Sequence, residues 1–500
     1  MSYKDRRTDV TMLNNLGPIL KVLCGPVAFG AVYAAPMEGL SYEGQVALAT
    51  FVWAVFWWMA RPIPWAISSL LPLFVFPAFQ VMSIRDATGL YGQRLFFWLL
   101  GISMMGYALE KHGVAKRIAL VFLRLKGVAN STAALTFMYM LVAAVLSWFI
   151  ADAGVIAMMM PIGMSLYAYI ASVGGINPPE GQKSRLASFL ALGTLYGAVA
   201  GGVGTLAGGP HNVIAVALSE SLAGEYVSWF RWMKVGVPLF IVLLVTFWLL
   251  LRFFFPPEIS KIPGGREFIH GELQKLGKLT RGEINVLVAF ACMVLMFTGP
   301  SIVSLVLGAQ HPLALYLRGS LATWVVPPTI LILLFLLPVN FKKAEGTLVW
   351  DDVAQRAPWN IIFLCTGGVA MADALMDFGV LDYTQGVIGS LGIGATGLPF
   401  LAAGSVVVGT NLFSGTAAAT LFCSVYIPAA MDVGFNPVSI GILVTNLAVG
   451  ILFPWSGASA GTAFASGYLD MQEMIKVGIV GTVLLIVLSV GIHFIFEPIL

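Results

Sequence analysis

Charge is what this sequence has least of. Asp, Glu, Lys and Arg make up 10% of its 500 residues, against roughly 25% in a soluble domain. A chain built mainly of soluble domains is thereby excluded. Cysteine is scarce too. Cys24, Cys292, Cys365 and Cys423 each sit in apolar segments without metal-like spacing, so neither a disulfide framework nor a zinc site is expected. Long polar stretches are nearly missing; the largest runs from Pro256 to Leu279. The short alternating segments of a membrane barrel are missing as well. The net charge of +3 carries no nucleic-acid signal, because the basic residues fall at the ends of apolar runs.

What the sequence has is apolar length. It is 59% hydrophobic with a mean hydropathy of +0.90, and runs of about 20 apolar residues, enough for a spanning helix, recur throughout. The reading is an all-α polytopic membrane protein whose helices satisfy their own backbone. Spans are expected near 17–35, 45–60, 64–82, 94–109, 188–218, 235–255, 283–307, 320–338, 359–376, 436–470 and 476–496. The opening segment MSYKDRRTDV is basic, and the apolar run after it lacks a convincing cleavage site, so it reads as a first span rather than a removed signal.

Lys and Arg set the orientation. With the N-terminus in the cytoplasm, Arg61, the cluster Lys111 to Lys126, the segment 252–281, Lys342, Lys343, Arg356 and Lys476 all lie inside. Of 27 basic residues only Arg85, Arg94, Arg231, Lys234 and Arg318 fall outside. The C-terminus is then outside. The expected location is a bacterial inner (plasma) membrane.

The stretch Ser147 to Ile162, SWFIADAGVIAMMMPI, is the focus. Asp152 is the one formal charge between Lys126 and Glu180. A lone acid in hydrocarbon is expensive and marks a functional-site candidate. A second stretch, Gly409 to Pro428, carries Ser, Gly and Thr at the corresponding place. These are read as the tips of two hairpins, near 131–172 and 393–431, facing each other across a transport site. The alternative is two pairs of ordinary spans joined by tight loops outside the membrane.

Each candidate hairpin is followed by a long span interrupted by Gly and polar residues. The interruptions are GGVGTLAGGPHN (Gly201 to Asn212) in the span 188–218 and FPWSGASAGT (Phe453 to Thr462) in the span 436–470. Before each hairpin, Met105 to Leu109 with Gly113 and Val114 resembles Met371 to Leu375 with Gly379 and Val380. The charge assignment sends these two segments in opposite directions, so the halves read as inverted repeats. Such repeats with paired broken helices point to a secondary transporter with a midplane site. The expected organisation is 1–42 as N-terminal segment and first span, 43–256 as first repeat, 257–280 as a cytoplasmic connector with solvated charges, and 281–500 as second repeat. Asp373 and Asp377 read as interfacial, Glu110 and Lys111 as surface charges, and Arg61, Trp57 and Trp58 as an interfacial belt.

At these residues the sequence resembles the divalent anion:sodium symporter family, also called solute carrier family 13. FVWAVFWWMARPIPWAISSLLPLFVFPAFQVMS, GYALEKHGVAKRIAL, PWNIIFLCTGGVAMADALMDFGV and GGVGTLAGGPHNVIAVAL carry the likeness, which covers nearly the whole chain. The resemblance implies about 11 transmembrane helices plus two re-entrant hairpins, a homodimer, an elevator mechanism, and dicarboxylate, tricarboxylate or sulfate substrates. It also implies Ser-Asn-Thr at each hairpin tip and a Thr-Pro-Pro-Asn-like turn in each broken span. Here the tips read Ala151-Asp152-Ala153 and Ser414-Gly415-Thr416. The turns read Gly209-Pro210-His211-Asn212 and Gly457-Ala458-Ser459-Ala460.

Carried over by position, a first sodium site would use Ser147, Asp152 and backbone near Gly204. A second would use Thr410, Ser456 and backbone at Phe413 and Gly415. Substrate contacts would come from Asp152, Thr205, Pro210, His211, Asn212, Ser414, Gly415, Thr416 and Ser459. The family's asparagine amide donates to the substrate, and an ionised Asp152 cannot. At about 4 Å, two like charges cost on the order of 4 kcal/mol at an effective dielectric near 20. So Asp152 binds a cation, is protonated when substrate binds, pairs with His211, or meets a substrate with a positive group. A loop aspartate capping a helix is the remaining alternative.

The expected function is secondary transport of small organic anions, dicarboxylate-like, with coupling to Na⁺ or H⁺ or by exchange. The alternative is a divergent member for an inorganic oxyanion, a monoanion or a zwitterion, proton-coupled through Asp152 and His211. A channel or non-transporting membrane protein is a further class. No enzyme is expected, since no nucleophile–base set stands outside the candidate site. The expected partners are a small anionic solute, the lipid bilayer and a second copy, with no nucleic acid. No cofactor is expected beyond Na⁺ as a candidate coupling ion.

Overall fold

A computed structural model describes residues 17–178, 183–308, 310–340, 345–380, 383, 393–412, 414–451, 453 and 456–500. The described part of the first half contains Pro18–Ala34 (α1), Tyr42–Ala60 (α2), Trp65–Ser68 (α3), Leu71–Ala78 (α4), Ile84–Gly89 (α5), Arg94–Lys111 (α6), Val114–Leu123 (α7), Thr132–Ser147 (α8), Asp152–Gly174 (α9), Arg185–Gly202 (α10), Pro210–Ala223 (α11) and Trp229–Phe254 (α12). Gly265–Lys275 (α13) follows on the connector. The second half contains Arg281–Leu307 (α14), Pro312–Ser320 (α15), Val326–Leu336 (α16), Trp350–Arg356 (α17), Trp359–Asp377 (α18), Leu398–Leu412 (α19), Gly415–Val433 (α20), Pro437–Leu447 (α21), Ala458–Ala465 (α22) and Met471–Phe496 (α23).

Six of these helices (α9, α12, α14, α18, α20 and α23) are long and apolar enough to cross a membrane. The all-α expectation has one exception: Pro338–Asn340 (β1) pairs antiparallel with Glu345–Gly346 (β2). The expected span 64–82 is two short helices. The break between α3 and α4 frees the carbonyl of Ser69, which accepts from the Tyr91 hydroxyl at 2.6 Å.

Two helices form the centre. Every residue of α10 from Leu186 to Gly202 is buried, as is every residue of α21 from Val438 to Leu447. A helix apolar all round has no solvent face and belongs in a core. α10 packs on α8, α9 and α12, while α21 packs on α20 and α11. Serine hydroxyls start several of the surrounding helices: Ser131, Ser184 and Ser228 each accept a backbone N–H from the first turn.

The connector is docked through its backbone and Phe268, while Lys261, Arg266, Glu267, Lys275 and Lys278 are exposed, in keeping with the reading of solvated charges. The Thr132 N–H donates to Ser260 O at 3.1 Å, and Phe268 stacks on Tyr169 with centroids 4.1 Å apart. Glu258 caps α10, accepting from Ser184 Oγ at 2.8 Å and from the Arg185 N–H at 2.7 Å. Lys111 is an ion-pair partner of Asp352 at 2.7 Å, and half-buried Asp373 accepts from Gln93 Nε2 at 2.9 Å. Trp58 is fully buried and so does not belong to an interfacial belt.

Candidate functional site

α8 and α9 are joined by Trp148 to Ala151 alone. α9 opens on Asp152, where a helix N-terminus favours negative charge. Ser147 Oγ donates to Asp152 Oδ1. The carboxyl is 7% exposed. It rests on Gly202, where an added Cβ would lie 2.8 Å from Oδ1.

After Gly202 the chain leaves helical form until α11. Two side chains hold this unwound segment. Asn212 Nδ2 donates to Gly202 O at 2.8 Å and to Thr205 O at 2.9 Å. Thr205 Oγ1 donates to Trp148 O at 2.7 Å, which ties the broken span to the hairpin tip. Gly208 returns so close to Gly202 that a Cβ would sit 2.2 Å from its carbonyl oxygen.

The second half repeats the pattern. Ser414 Oγ accepts from the Ala417 N–H at 3.2 Å and so caps α20. A Cβ on Gly415 would lie 1.9 Å from Ala448 O, just past the end of α21. Gly450 closes on Ser456, with a Cβ-to-oxygen distance of 2.4 Å, as Gly202 does on Gly208. Ser456 Oγ also donates to Phe453 O at 2.6 Å.

The two tips and the two breaks share one cavity of about 380 Å³. Asp152, His211, Ser414, Thr416, Ser456 and Ser459 stand on its wall. The N-termini of α9, α11, α20 and α22 all reach it, through Asp152, Pro210, Gly415 and the Gly457 cap. Four helix N-termini facing one space favour an anion. A second cavity of about 370 Å³ shares Ala151, Ala153, Gly209, Pro210 and Ile361 with the first.

The positions expected from sequence divide into two groups. Asp152, Pro210, His211, Ser414, Gly415, Thr416, Ser456 and Ser459 line the cavity. Ser147, Gly204, Thr205, Thr410 and Asn212 stand behind its wall. Phe413 lies outside the described residues. Among the described residues Asp152 and His211 form no hydrogen bond or ion pair, so direct pairing, one of the four alternatives for Asp152, is not the arrangement seen here. His211 turns instead over Gly209, where a Cβ would lie 2.5 Å from its Cε1. His211 Nε2, on the cavity wall, and Asn212 Oδ1 and Thr410 Oγ1, behind it, are buried without a hydrogen-bond partner.

A family model described as "Sodium:sulfate symporter transmembrane region" matches residues 19–500. The chain belongs to this family. Among curated relatives in the family, the sodium-dependent dicarboxylate transporter SdcS of Staphylococcus saprophyticus is 26% identical over 495 residues, covering 97% of this chain and 93% of the relative. SdcS of Staphylococcus aureus is 28% identical over 473 residues, covering 92% and 88%. Two solved structures share the fold. The YdaH transporter of Alcanivorax borkumensis has a TM-score of 0.54 at 11% identity, covering 82% of this chain and 87% of that one. MtrF of Neisseria gonorrhoeae, described as illuminating a class of antimetabolite efflux pumps, has a TM-score of 0.52 at 12% identity, covering 93% and 96%. At such identities the likeness speaks to fold alone.

Sequence reasoning missed Arg61 and Trp65. Both line the cavity, although Arg61 reads from sequence as an anchor at a helix end. The available signal was the run Arg61-Pro62-Ile63-Pro64, which ends one helix and starts another within four residues.

Proposed function

We propose that this family member is a secondary active transporter of small organic anions, dicarboxylate-like, driven by Na⁺. The observation that carries the reading is the meeting of four helix N-termini and two hairpin tips around one cavity. The tips offer carboxylate, hydroxyl and carbonyl oxygen to a hard cation, while the N-termini offer N–H groups to an anion. The names of the staphylococcal relatives support both halves of this assignment.

The chain has about 11 spans plus two re-entrant hairpins in two inverted repeats, by the apolar lengths and the charge bias. The paired closures Gly202–Gly208 and Gly450–Ser456 support the repeat. Arg61 and Ile361 then lie at the cytoplasmic ends of α2 and α18, so the cavity opens inward. The moving part of the elevator is made of the hairpins and broken spans, and a homodimer supplies the frame. A second reading, proton coupling, is favoured by the unpaired ring nitrogen of His211 on the same wall as Asp152.

Uptake of labelled succinate by purified protein in liposomes tests the proposal. Accumulation driven by an inward Na⁺ gradient is expected. Accumulation driven by a proton gradient alone would move the assignment to the second reading. No saturable uptake of any small anion under either gradient would overturn both.

A further inference from the structure

We propose that Arg61 is the cation that holds the far anionic group of the solute, making the site selective for molecules with two anionic ends. This inference rests on the transport reading above. Among the residues lining the cavity, Asp152 and Arg61 are the two with a formal charge. Asp152 belongs to the first hairpin tip. Arg61 comes from another part of the chain, with Trp65, Ile361 and Leu364 of α3 and α18 beside it on the wall. One anionic end of a solute can take the helix N-termini. The other needs a donor elsewhere on the wall, and Arg61 is the cationic donor there.

Three features set this arginine apart from an interfacial anchor. First, its backbone is left-handed, with φ 52° and ψ 50°, where an L side chain is disfavoured and glycine is the usual choice at a helix end. Pro62 restricts the same residue further. Its N–H closes α2 on Trp57 O at 2.9 Å, a bond glycine would make at lower cost. A strained position that keeps a long cationic side chain points to a role for that side chain.

Second, the guanidinium is aimed. It lies over the Trp65 ring, 4.7 Å from the centroid. Trp65 is itself fixed, because its Nε1–H donates to Trp58 O at 3.2 Å. Stacking on one face leaves the N–H edge of the fork free, and that edge matches a carboxylate or a sulfate in a bidentate way. Third, the fork has no carboxylate or carbonyl partner among the described residues; Arg252 and Arg356 share that state, but of these three only Arg61 lines this cavity. Arg61 is an exposed residue, so its free N–H edge is open to an anion entering the cavity.

The test uses the full-length protein in liposomes, with succinate as probe and its matching monocarboxylate, butyrate, as competitor. For Arg61→Gln the KM for succinate is expected to rise about tenfold or more with Vmax little changed, as for loss of a charge-assisted bidentate bond. The preference for succinate over butyrate should collapse in parallel, and Arg61→Lys should restore part of it. If Arg61→Gln does not assemble, Trp65→Leu gives a second readout, since it removes the stacking face that aims the guanidinium together with the Trp65–Trp58 hydrogen bond. A wild-type protein that transports succinate, with KM and preference unmoved in these variants, would overturn this inference and leave the transport reading intact. A wild-type protein without saturable uptake of any anion would overturn both.

Discussion

Ser147 Oγ donates to Asp152 Oδ1 across the four residues of the first hairpin tip, and the same carboxyl rests against the last turn of α10 at Gly202. The hydrogen bond ties the two arms of the hairpin together. The contact with Gly202 ties the hairpin to the broken span. One side chain therefore reports on the hairpin, the unwound backbone and the cavity at once.

Asp152→Asn keeps the shape of this junction and removes its charge. The amide oxygen still accepts from Ser147. Apparent stability should change by no more than about 1 kcal/mol, as for one exchanged hydrogen bond. The half-saturating Na⁺ concentration should rise tenfold or more, which corresponds to about 1.4 kcal/mol. Uptake measured over a grid of Na⁺ concentration and pH checks this. A variant whose Na⁺ and pH dependence both match the parent would remove Asp152 from coupling.

Gly415→Ala tests how tightly the second tip meets the second break. The added Cβ would lie 1.9 Å from Ala448 O, a backbone atom that cannot move without displacing the tip. Overpacking of this kind costs about 1–3 kcal/mol, and uptake should be lost. Gly404→Ala, in the same hairpin with nothing within 4 Å, is the control. It should retain uptake and gain up to about 1 kcal/mol from helix propensity. Equal behaviour of the two variants would contradict the contact.

How far the sequence carried the argument differs between these two sites. The helix pairs α8–α9 and α19–α20 were legible because apolar length, a lone acid and a Ser-Gly-Thr turn are local signals. The break at Gly201 to Asn212 was legible because so much Gly beside Pro and His has few other uses within an apolar run. What Asn212 and Thr205 do was not legible. Both are polar residues beside the solute in the family pattern, but here their side chains bind the chain's own backbone, as only tertiary geometry can reveal. Arg61 was misread for the same reason: a cation at the end of a span looks the same in sequence whether it faces headgroups or a cavity. The docking of the connector on α8 and α9 likewise rests on long-range contacts such as Tyr169 with Phe268.

Glu220 tests the elevator. Its carboxylate pairs with Arg94 and accepts from Trp324 Nε1 at 3.1 Å, and the Arg94 guanidinium lies 4.7 Å from the centroid of the Trp324 ring. Glu220 is on α11, while Arg94 and Trp324 belong to the α6 and α16 side. Under the proposed elevator, motion of the broken spans would part this cluster. Glu220→Gln should therefore depopulate the arrangement seen here, and a loss of about 1 kcal/mol would shift the equilibrium roughly fivefold. The rate of alkylation of Thr416→Cys from the cytoplasmic face, in a background without Cys24 and Cys292, should fall. An unchanged rate would separate this cluster from the transport motion.

Asp352 offers a pH test outside the membrane-spanning part. Burial alone would raise its carboxyl, but hydrogen bonds from Lys111 and the Val349 N–H, with the charge of Lys111, outweigh burial and hold it below its ordinary value. A depressed carboxyl stabilises the fold at pH above its unfolded value of about 3.9. That stability is lost as pH falls through the folded value. Asp352→Asn should lower stability at pH 7 by about 1 kcal/mol, given how exposed such pairs are. The difference from the parent should disappear in acid. A difference that persists below the folded value would show that packing, not charge, is responsible.

The most direct measurement is the position of a bound solute. A cryo-electron microscopy structure of the purified protein with succinate and Na⁺ should place the dicarboxylate between the tips at 152 and 414–416. One end should face the N-termini of α11 and α22, and the other the Arg61 guanidinium. Succinate bound elsewhere, with the 380 Å³ cavity holding only water, would contradict the account.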